Sequence, residues 1–309
     1  MSIHYQPEIY DAILRKPYQN GLRQIDVITG FASSSFIYHV IHEFEQLNIN
    51  VIIGMAKQNG ISKWDHIEFN RIANVTKRLK VNYYIGKVPI HIKGVVWDNE
   101  TIDIAFTGSS NFSWNGYRDY SELMTKVPKV ELKKAFPTDN LVDSQDVKVE
   151  NLGIITDSLT TQQPKNLKDI AITKELVELP LFSEKQQRMH ERSGLNWGQR
   201  PEYKREPNQA YLPVPKSIHD EHPDFFPPKD QEFTLLTDDG ESFVCVMAQD
   251  NRKAIETRYD NSILGRYFRN RLRIKQGAFV SLEDLVNYGR KSISVYKISS
   301  ELYFLDYKA

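Results

Sequence analysis

One cysteine in 309 residues, Cys245, rules out an internal disulfide framework and suits a reducing compartment. It lies in the apolar run Phe243-Val-Cys-Val-Met247, where a thiol is expected to pack as a small buried hydrophobe. No apolar run is long enough to span a bilayer. The N-terminal Met-Ser-Ile-His-Tyr-Gln has no basic region leading into an apolar stretch, so neither a signal peptide nor a membrane partner is indicated, and the cytoplasm is the expected location. There is no Gly-x4-Gly-Lys-Ser/Thr element, so the chain is not itself a P-loop ATPase. Net charge is also missing: 40 Lys and Arg balance 40 Asp and Glu, so a nucleic-acid surface has to be a local patch.

What is present is concentrated between residues 88 and 111. Val88 to Trp97 is rich in β-branched residues and reads as a strand, which sends His91 and Lys93 to one face. Asp98-Asn-Glu100 signals a turn, and Ile102, Ile104 and Phe106 alternate after it. A hairpin centred on Asn99 and Glu100 sets Gly108 opposite His91 and brings Gly108-Ser-Ser-Asn111 beside the His/Lys pair. These residue types suit attack on a phosphodiester without a metal. A neutral imidazole can attack phosphorus, Lys93 and the Asn111 amide can hold the nonbridging oxygens, and Ser109 or the backbone N–H after Gly108 can add a donor. Glu122, on the next strand-like run, is the expected carboxylate for the second imidazole nitrogen. Each piece alone is common, since a His-x-Lys on a strand is ordinarily a solvated face.

Around this hairpin, residues 1 to about 130 alternate strand and helix patterns. The strands are Ile25 to Gly30, Ile49 to Gly54 and Val81 to Ile85; the helices are Ser33 to Phe44 and Ile61 to Asn74, with Trp64, Ile67 and Ile72 as its apolar candidates. That order predicts an α/β domain with a mixed sheet flanked by helices. Asp139 to Lys174 is polar and weakly periodic and reads as the linker, which gives domains 1–170 and 171–309. The second domain shows many short strands separated by Pro/Gly turns and is expected to form a small, mainly β barrel. Its strands include Leu176 to Phe182, a hairpin of Phe233–Leu236 with Ser242–Ala248, and a closing hairpin of Ser292–Ile298 with Glu301–Asp306. Helices are expected at Ser262–Leu272 and Leu282–Tyr288.

Residues 252 to 275 carry Arg252, Lys253, Arg258, Arg266, Arg269, Arg271, Arg273 and Lys275 against only Glu256 and Asp260. Such a patch would neutralise phosphates. Asn196, Trp197, Gln199 and Arg200 form a polar loop with side chains suited to base edges, followed by Lys204, Arg205 and Asn208. Gln249, Asp250, Asn251, Arg252 and Lys253 form another. Two such loops could grip a major groove from both sides.

Taken together, His91-x-Lys93-x4-Asp98 and Gly108-Ser109-x-Asn111 resemble the phospholipase D superfamily signature, with a longer gap between Asp98 and Gly108 than is usual there. In that family the aspartate is a support residue. A single copy resembles half a site, which implies a homodimer in which one His91 attacks and the other protonates the leaving oxygen. Gly194-Leu-Asn-Trp-Gly-Gln-Arg200, Glu206-Pro-Asn-Gln-Ala-Tyr211, Lys253-Ala-Ile-Glu-Thr257 and Asn261 to Arg271 resemble the B3-like domain of NgoFVII-type restriction endonucleases. The resemblance implies an α/β phospholipase-D-like nuclease domain followed by a mainly β B3-like pseudobarrel. It also implies sequence-specific cleavage of double-stranded DNA without a cofactor, reading arms at Asn196–Asn208 and Gln249–Lys253, and in some relatives a separate helicase-like ATPase subunit that gates cutting. Three rival readings remain. Asp119 with Glu131-Leu-Lys133 loosely matches a Mg²⁺ nuclease pattern. A lipid or phosphate-ester transferase is opposed by the basic second domain, and an inactive DNA-binding protein by the intact His91, Lys93, Asn111 and Glu122.

Overall fold

The computed structural model describes residues 2–98, 102–156, 175–229 and 231–309. The chain divides into two compact units, Met1–Asn166 and Leu167–Ala309. The expected boundary at 170/171 and the turn at Asn99–Glu100 lie outside the described residues.

The first unit is built on an eight-stranded mixed sheet. Along the chain come β1 (Ile3–Tyr5), α1 (Lys16–Gln19), β2 (Gln24–Thr29), α2 (Ser34–Glu43), β3 (Asn48–Ile53), α3 (Ala56–Asn59), β4 (Ile61–Ser62), α4 (Lys63–Thr76), β5 (Leu79–Tyr84), β6 (Gly94–Trp97), β7 (Ile104–Gly108), β8 (Leu123–Val127), α5 (Lys129–Lys133), β9 (Leu141–Asp143) and β10 (Ile155–Thr156). The strand order is β1-β8-β7-β6-β2-β3-β5-β9. β2, β3 and β5 run parallel, and the hairpin strands extend the sheet antiparallel from β2. The central strands are apolar on both faces because both faces are covered, as for Ile25, Val27 and Ile28 and for Val51, Ile52 and Ile53.

Two sequence expectations change here. In α4 the inward stripe is Glu68, Phe69, Ile72 and Ala73, while Ile67 faces solvent at 46% exposure. An apolar residue one position off the 3.6-residue stripe is carried to the surface. The polar stretch after Asp139 is also not all linker. β9 pairs with β5 at the sheet edge, and β10 pairs in parallel with β4. Strands of two and three residues are too short to show a period. Capping is partly tertiary: Asp65 Oδ1 accepts the Ser34 N–H at the start of α2 (2.8 Å), and Asp65 Oδ2 accepts the Ser62 hydroxyl at the start of its own helix (2.6 Å).

The second unit runs β11 (Leu176–Pro180), β12 (Leu212–Pro213), α6 (Lys216–Glu221), β13 (Glu232–Thr237), β14 (Ser242–Ala248), β15 (Ala254–Thr257), α7 (Ser262–Leu272), α8 (Leu282–Tyr288), β16 (Ser292–Lys297) and β17 (Leu302–Asp306). Its strands form a seven-stranded sheet in the order β11-β16-β17-β13-β14-β15-β12, nearly closed because the end strands β11 and β12 approach each other. The β13–β14 and β16–β17 hairpins and both long helices fall where their sequence patterns put them. α8 begins with a capping box between Ser281 and Asp284. Cys245 is fully buried among Phe233, Phe243, Leu264 and their neighbours.

Candidate active site and nucleic-acid interface

The site sits where β2 ends and the chain enters β6. Gly94 opposes Thr107, so the hairpin register differs by two residues from the expected one, and the Gly108 N–H donates to the Lys93 carbonyl (3.3 Å) rather than lying opposite His91. The strand expected from Val88 begins only at Gly94, so His91 and Lys93 lie in the non-strand segment before β6, and it is their side-chain contact that brings them together. The Gly of Gly108-Ser has a steric reason: a Cβ there would overlap the Leu123 carbonyl of β8.

Lys93 is buried at 6% exposure, and its ammonium lies 2.8 and 3.0 Å from the two ring nitrogens of His91 and 2.7 Å from the His91 carbonyl oxygen. Burial and the Lys93 charge both hold His91 below the ordinary imidazole value. Burial lowers the proton affinity of Lys93, and the nearby Glu122 charge opposes that shift. Over Gly30 the machinery converges: a Cβ there would lie 2.8 Å from His91 Cδ2, so the ring would have to shift, and 3.4 Å from Asn111 Oδ1. Asn111 Oδ1 is held by the Phe31 N–H (3.3 Å) and lies 3.3 Å from Thr29 Oγ1.

Three expectations are corrected. Asp98 sits at the far end of β6, where its carboxylate pairs with Lys133 (3.1 Å) and Lys129 (3.6 Å). β6 runs between His91 and Asp98 and carries the carboxylate away from the imidazole. The Ser109 N–H donates to the Leu123 carbonyl (3.0 Å) and the Ser109 hydroxyl accepts the Leu123 N–H (3.1 Å) and lies 3.5 Å from that carbonyl, so Ser109 is engaged in holding β8. Glu122 acts electrostatically on Lys93, and the polar group against the imidazole nitrogens is Lys93 itself. Thr29, Gly30 and Phe31 also border the site, although no motif in the sequence marks them. The available signal was positional: the C-terminal ends of parallel strands are where open α/β sheets hold ligands.

A lowered His91 pKa has a definite sign. Protonation removes the lone pair, so the neutral form should persist below pH 6.5, the ordinary value. An NMR titration of the ring should give a midpoint below that value, and Lys93→Met should move the midpoint upward. An unchanged midpoint in that variant would remove Lys93 as a cause.

In the second unit the polar residues expected at base edges divide into two groups. Several are architectural. Asn196 is fully buried, donating to the His190 (3.0 Å) and Val280 (2.8 Å) carbonyls and accepting the Val280 N–H (2.8 Å). Asn208 is buried and accepts the Gly277 N–H (2.6 Å), and Gln199 donates to the Pro207 and Gly277 carbonyls. Arg269, also fully buried, donates to the carbonyls of Ala278 (2.8 Å), Gly265 (3.1 Å), Leu195 (3.3 Å) and Pro207 (3.4 Å). Arg200 is turned onto the Arg192 carbonyl, Arg252 onto those of Phe226, Pro227 and Pro223, and Gln249 onto Glu256. Buried backbone groups between strands need donors, and long polar side chains supply them.

The basic run is correspondingly smaller at the surface than in sequence. Arg271 pairs with Asp238, Arg266 lies between Glu206 and Asp260, and Arg258 faces Glu232. Lys204, Asp250, Asn251, Lys253, Arg273 and Lys275 are exposed. Arg205 stacks over Trp197 at 4.2 Å. Gln249, Asn251 and Arg252 all hold left-handed φ, so this loop is fixed in a shape that few residues adopt freely.

A histidine flanked by a buried ammonium and a fixed amide, at the end of a mixed sheet, is a phosphodiesterase arrangement, and the chain couples it to a separate β-barrel. The model of the NgoFVII restriction endonuclease N-terminal PLD domain matches residues 7–153, and that of the NgoFVII C-terminal B3-like DNA-binding domain matches residues 171–299. The chain therefore belongs to the NgoFVII restriction endonuclease family and is a DNA nuclease with a DNA-binding domain. No curated protein matches it. Among solved structures, NucT from Helicobacter pylori is 16% identical, covering 43% of this chain and 89% of its own, with a TM-score of 0.29. Nuc from Salmonella typhimurium, a phospholipase D family member, is 17% identical, covering 43% and 90%, with a TM-score of 0.33. A hypothetical Arabidopsis thaliana protein is 14% identical, covering 43% and 87%, with a TM-score of 0.21.

Proposed function

We propose that this nuclease hydrolyses duplex DNA without a metal, through a phosphohistidine on His91, at a site completed by a second copy of the chain. The observation that carries this reading is the Lys93 ammonium against the ring nitrogens of His91, with the Asn111 amide across Gly30. An ammonium that donates to the ring requires a neutral imidazole. A phosphate oxygen is the stronger acceptor for that ammonium, so substrate would draw Lys93 away and free the lone pair. The imidazole nitrogen then forms the N–P bond as the P–O bond to the leaving sugar oxygen breaks, and the second copy's imidazolium gives that oxygen its proton. Water next attacks phosphorus, yields a proton to the now neutral second imidazole, and releases His91. Lys93 and the Asn111 amide carry the charge that builds on the nonbridging oxygens.

The single His/Lys/Asn set supports the dimer, because one histidine cannot be nucleophile and acid in the same step. Asp119 and Glu131, the metal-nuclease alternative, pair with Arg118 and Lys134. Among the described residues no group of three His, Cys, Asp or Glu could hold a metal ion. Sequence-specific recognition belongs to the second unit, with Lys204, Arg205, Asn251 and Lys253 as its DNA contacts.

The test is plasmid cleavage in EDTA by the full chain alone and by its His91→Ala variant; a gating helicase-like ATPase subunit, which itself needs Mg²⁺-ATP, is added only in separate reactions without EDTA. Cleavage in EDTA and a DNA adduct trapped on His91 at acidic pH are expected. Activity restored only by a divalent ion would overturn the metal-free mechanism.

A further inference from the structure

We propose that Thr29 is a positioning residue that aims the Asn111 amide at the transferred phosphoryl group. Thr29 ends β2 at 1% exposure. A buried position at the end of an apolar strand would be filled equally well by valine, so the hydroxyl needs a reason of its own. Its Oγ1 accepts the Phe112 N–H (3.1 Å), and lies 2.7 Å from the Phe31 carbonyl and 3.3 Å from Asn111 Oδ1. A hydroxyl has one proton, and the shorter contact takes it. Thr29 therefore ties together the backbone on both sides of the site: Phe31, just past β2, and Phe112, next to Asn111.

That tie decides which end of the Asn111 amide faces the site. With the turn folded back on Thr29, the Phe31 N–H reaches Asn111 Oδ1 at 3.3 Å. A backbone N–H only donates, so a flipped amide would set N–H against N–H. The oxygen is held on the Phe31 side, and the two amide hydrogens are left to donate elsewhere. Ser33 N–H donating to the Phe112 carbonyl (3.2 Å) and the Ala32–Phe112 bridge continue the same clamp toward α2. None of these residues belongs to the His-x-Lys or Gly-Ser-x-Asn elements.

This inference rests on the reading that Asn111 binds the phosphoryl oxygens, and the experiment separates the two. Single-turnover cleavage at saturating DNA, duplex affinity and melting temperature are measured for Thr29→Val, Thr29→Ser, Asn111→Ala and the Thr29→Val/Asn111→Ala pair. Misdirecting one oriented group should cost Thr29→Val roughly a hundredfold in rate, with DNA affinity unchanged. Thr29→Ser should recover most of that loss, and in the Asn111→Ala background Thr29→Val should add little, as expected for two residues acting through one contact. A crystal structure of Thr29→Val should find the Asn111 side chain rotated. Equal losses from Thr29→Val with and without Asn111, a Thr29→Ser loss that tracks a lowered melting temperature, or an unmoved Asn111 amide each overturn the positioning role. Wild-type cleavage by Asn111→Ala would instead overturn the phosphoryl-binding reading beneath it.

Discussion

DNA cleavage by the His91→Ala protein is expected to fall by about ten-thousandfold or more, the scale seen when a covalent nucleophile is removed. Melting temperature and duplex affinity should stay close to wild type. His91 borders a site rather than a core, and its ring contacts are the Lys93 ammonium and the edge of Phe31. Alanine there leaves Lys93 with its bond to the residue 91 carbonyl, so no buried charge is stranded. Mixing the His91→Ala and wild-type proteins tests the shared site. A heterodimer holds one imidazole, which cannot attack and protonate together, so single-turnover cleavage should fall with the fraction of mixed dimers. Full activity per wild-type chain, whatever the mixing ratio, would show that each copy cuts alone.

Arg269→Ala is expected to destabilise the second unit by about 3–5 kcal/mol, from buried carbonyls left unpaired at roughly 1–3 kcal/mol each. Four carbonyls, of Ala278, Gly265, Leu195 and Pro207, would lose a donor inside the protein. Urea unfolding followed by Trp197 fluorescence should find the transition at lower denaturant, while DNA binding below the transition persists. Lys253→Ala should do the opposite: unchanged stability, weaker binding, and a salt dependence shallower by about one phosphate contact. If Arg269→Ala instead abolished DNA binding at unchanged stability, this arginine would be a phosphate contact after all.

Arg269 and Asn196 show why the barrel's reading residues were less legible than its strands. The β13–β14 hairpin follows from apolar alternation about Asp238-Asp-Gly240, and α7 from the spacing of Leu264, Phe268 and Leu272, because burial repeats with the period of the element. An arginine that neutralises phosphate and one that caps four carbonyls are identical in sequence. Only the position of Leu195, Pro207 and Ala278 around α7 tells them apart. The same limit applied to Asp98, whose partners Lys129 and Lys133 come from a helix about thirty residues on. For Ser109, the decisive neighbour was Leu123 on the adjoining strand.

Residue types and local patterns set the chemistry available and the order of parts. His91, Lys93 and Asn111 stand in segments that one hairpin brings together, and a turn-rich β domain follows an α/β one. Local patterns carry this because side-chain period and residue type belong to the chain alone. Contacts between strands distant in the chain select which polar groups are left over for a substrate. Gly30 makes room for the His91 ring, Phe31, tied down by Thr29, holds the amide oxygen, and Lys93 caps the imidazole. The physical reason is that every buried donor and acceptor must be partnered, and the partners come from strands distant in the chain.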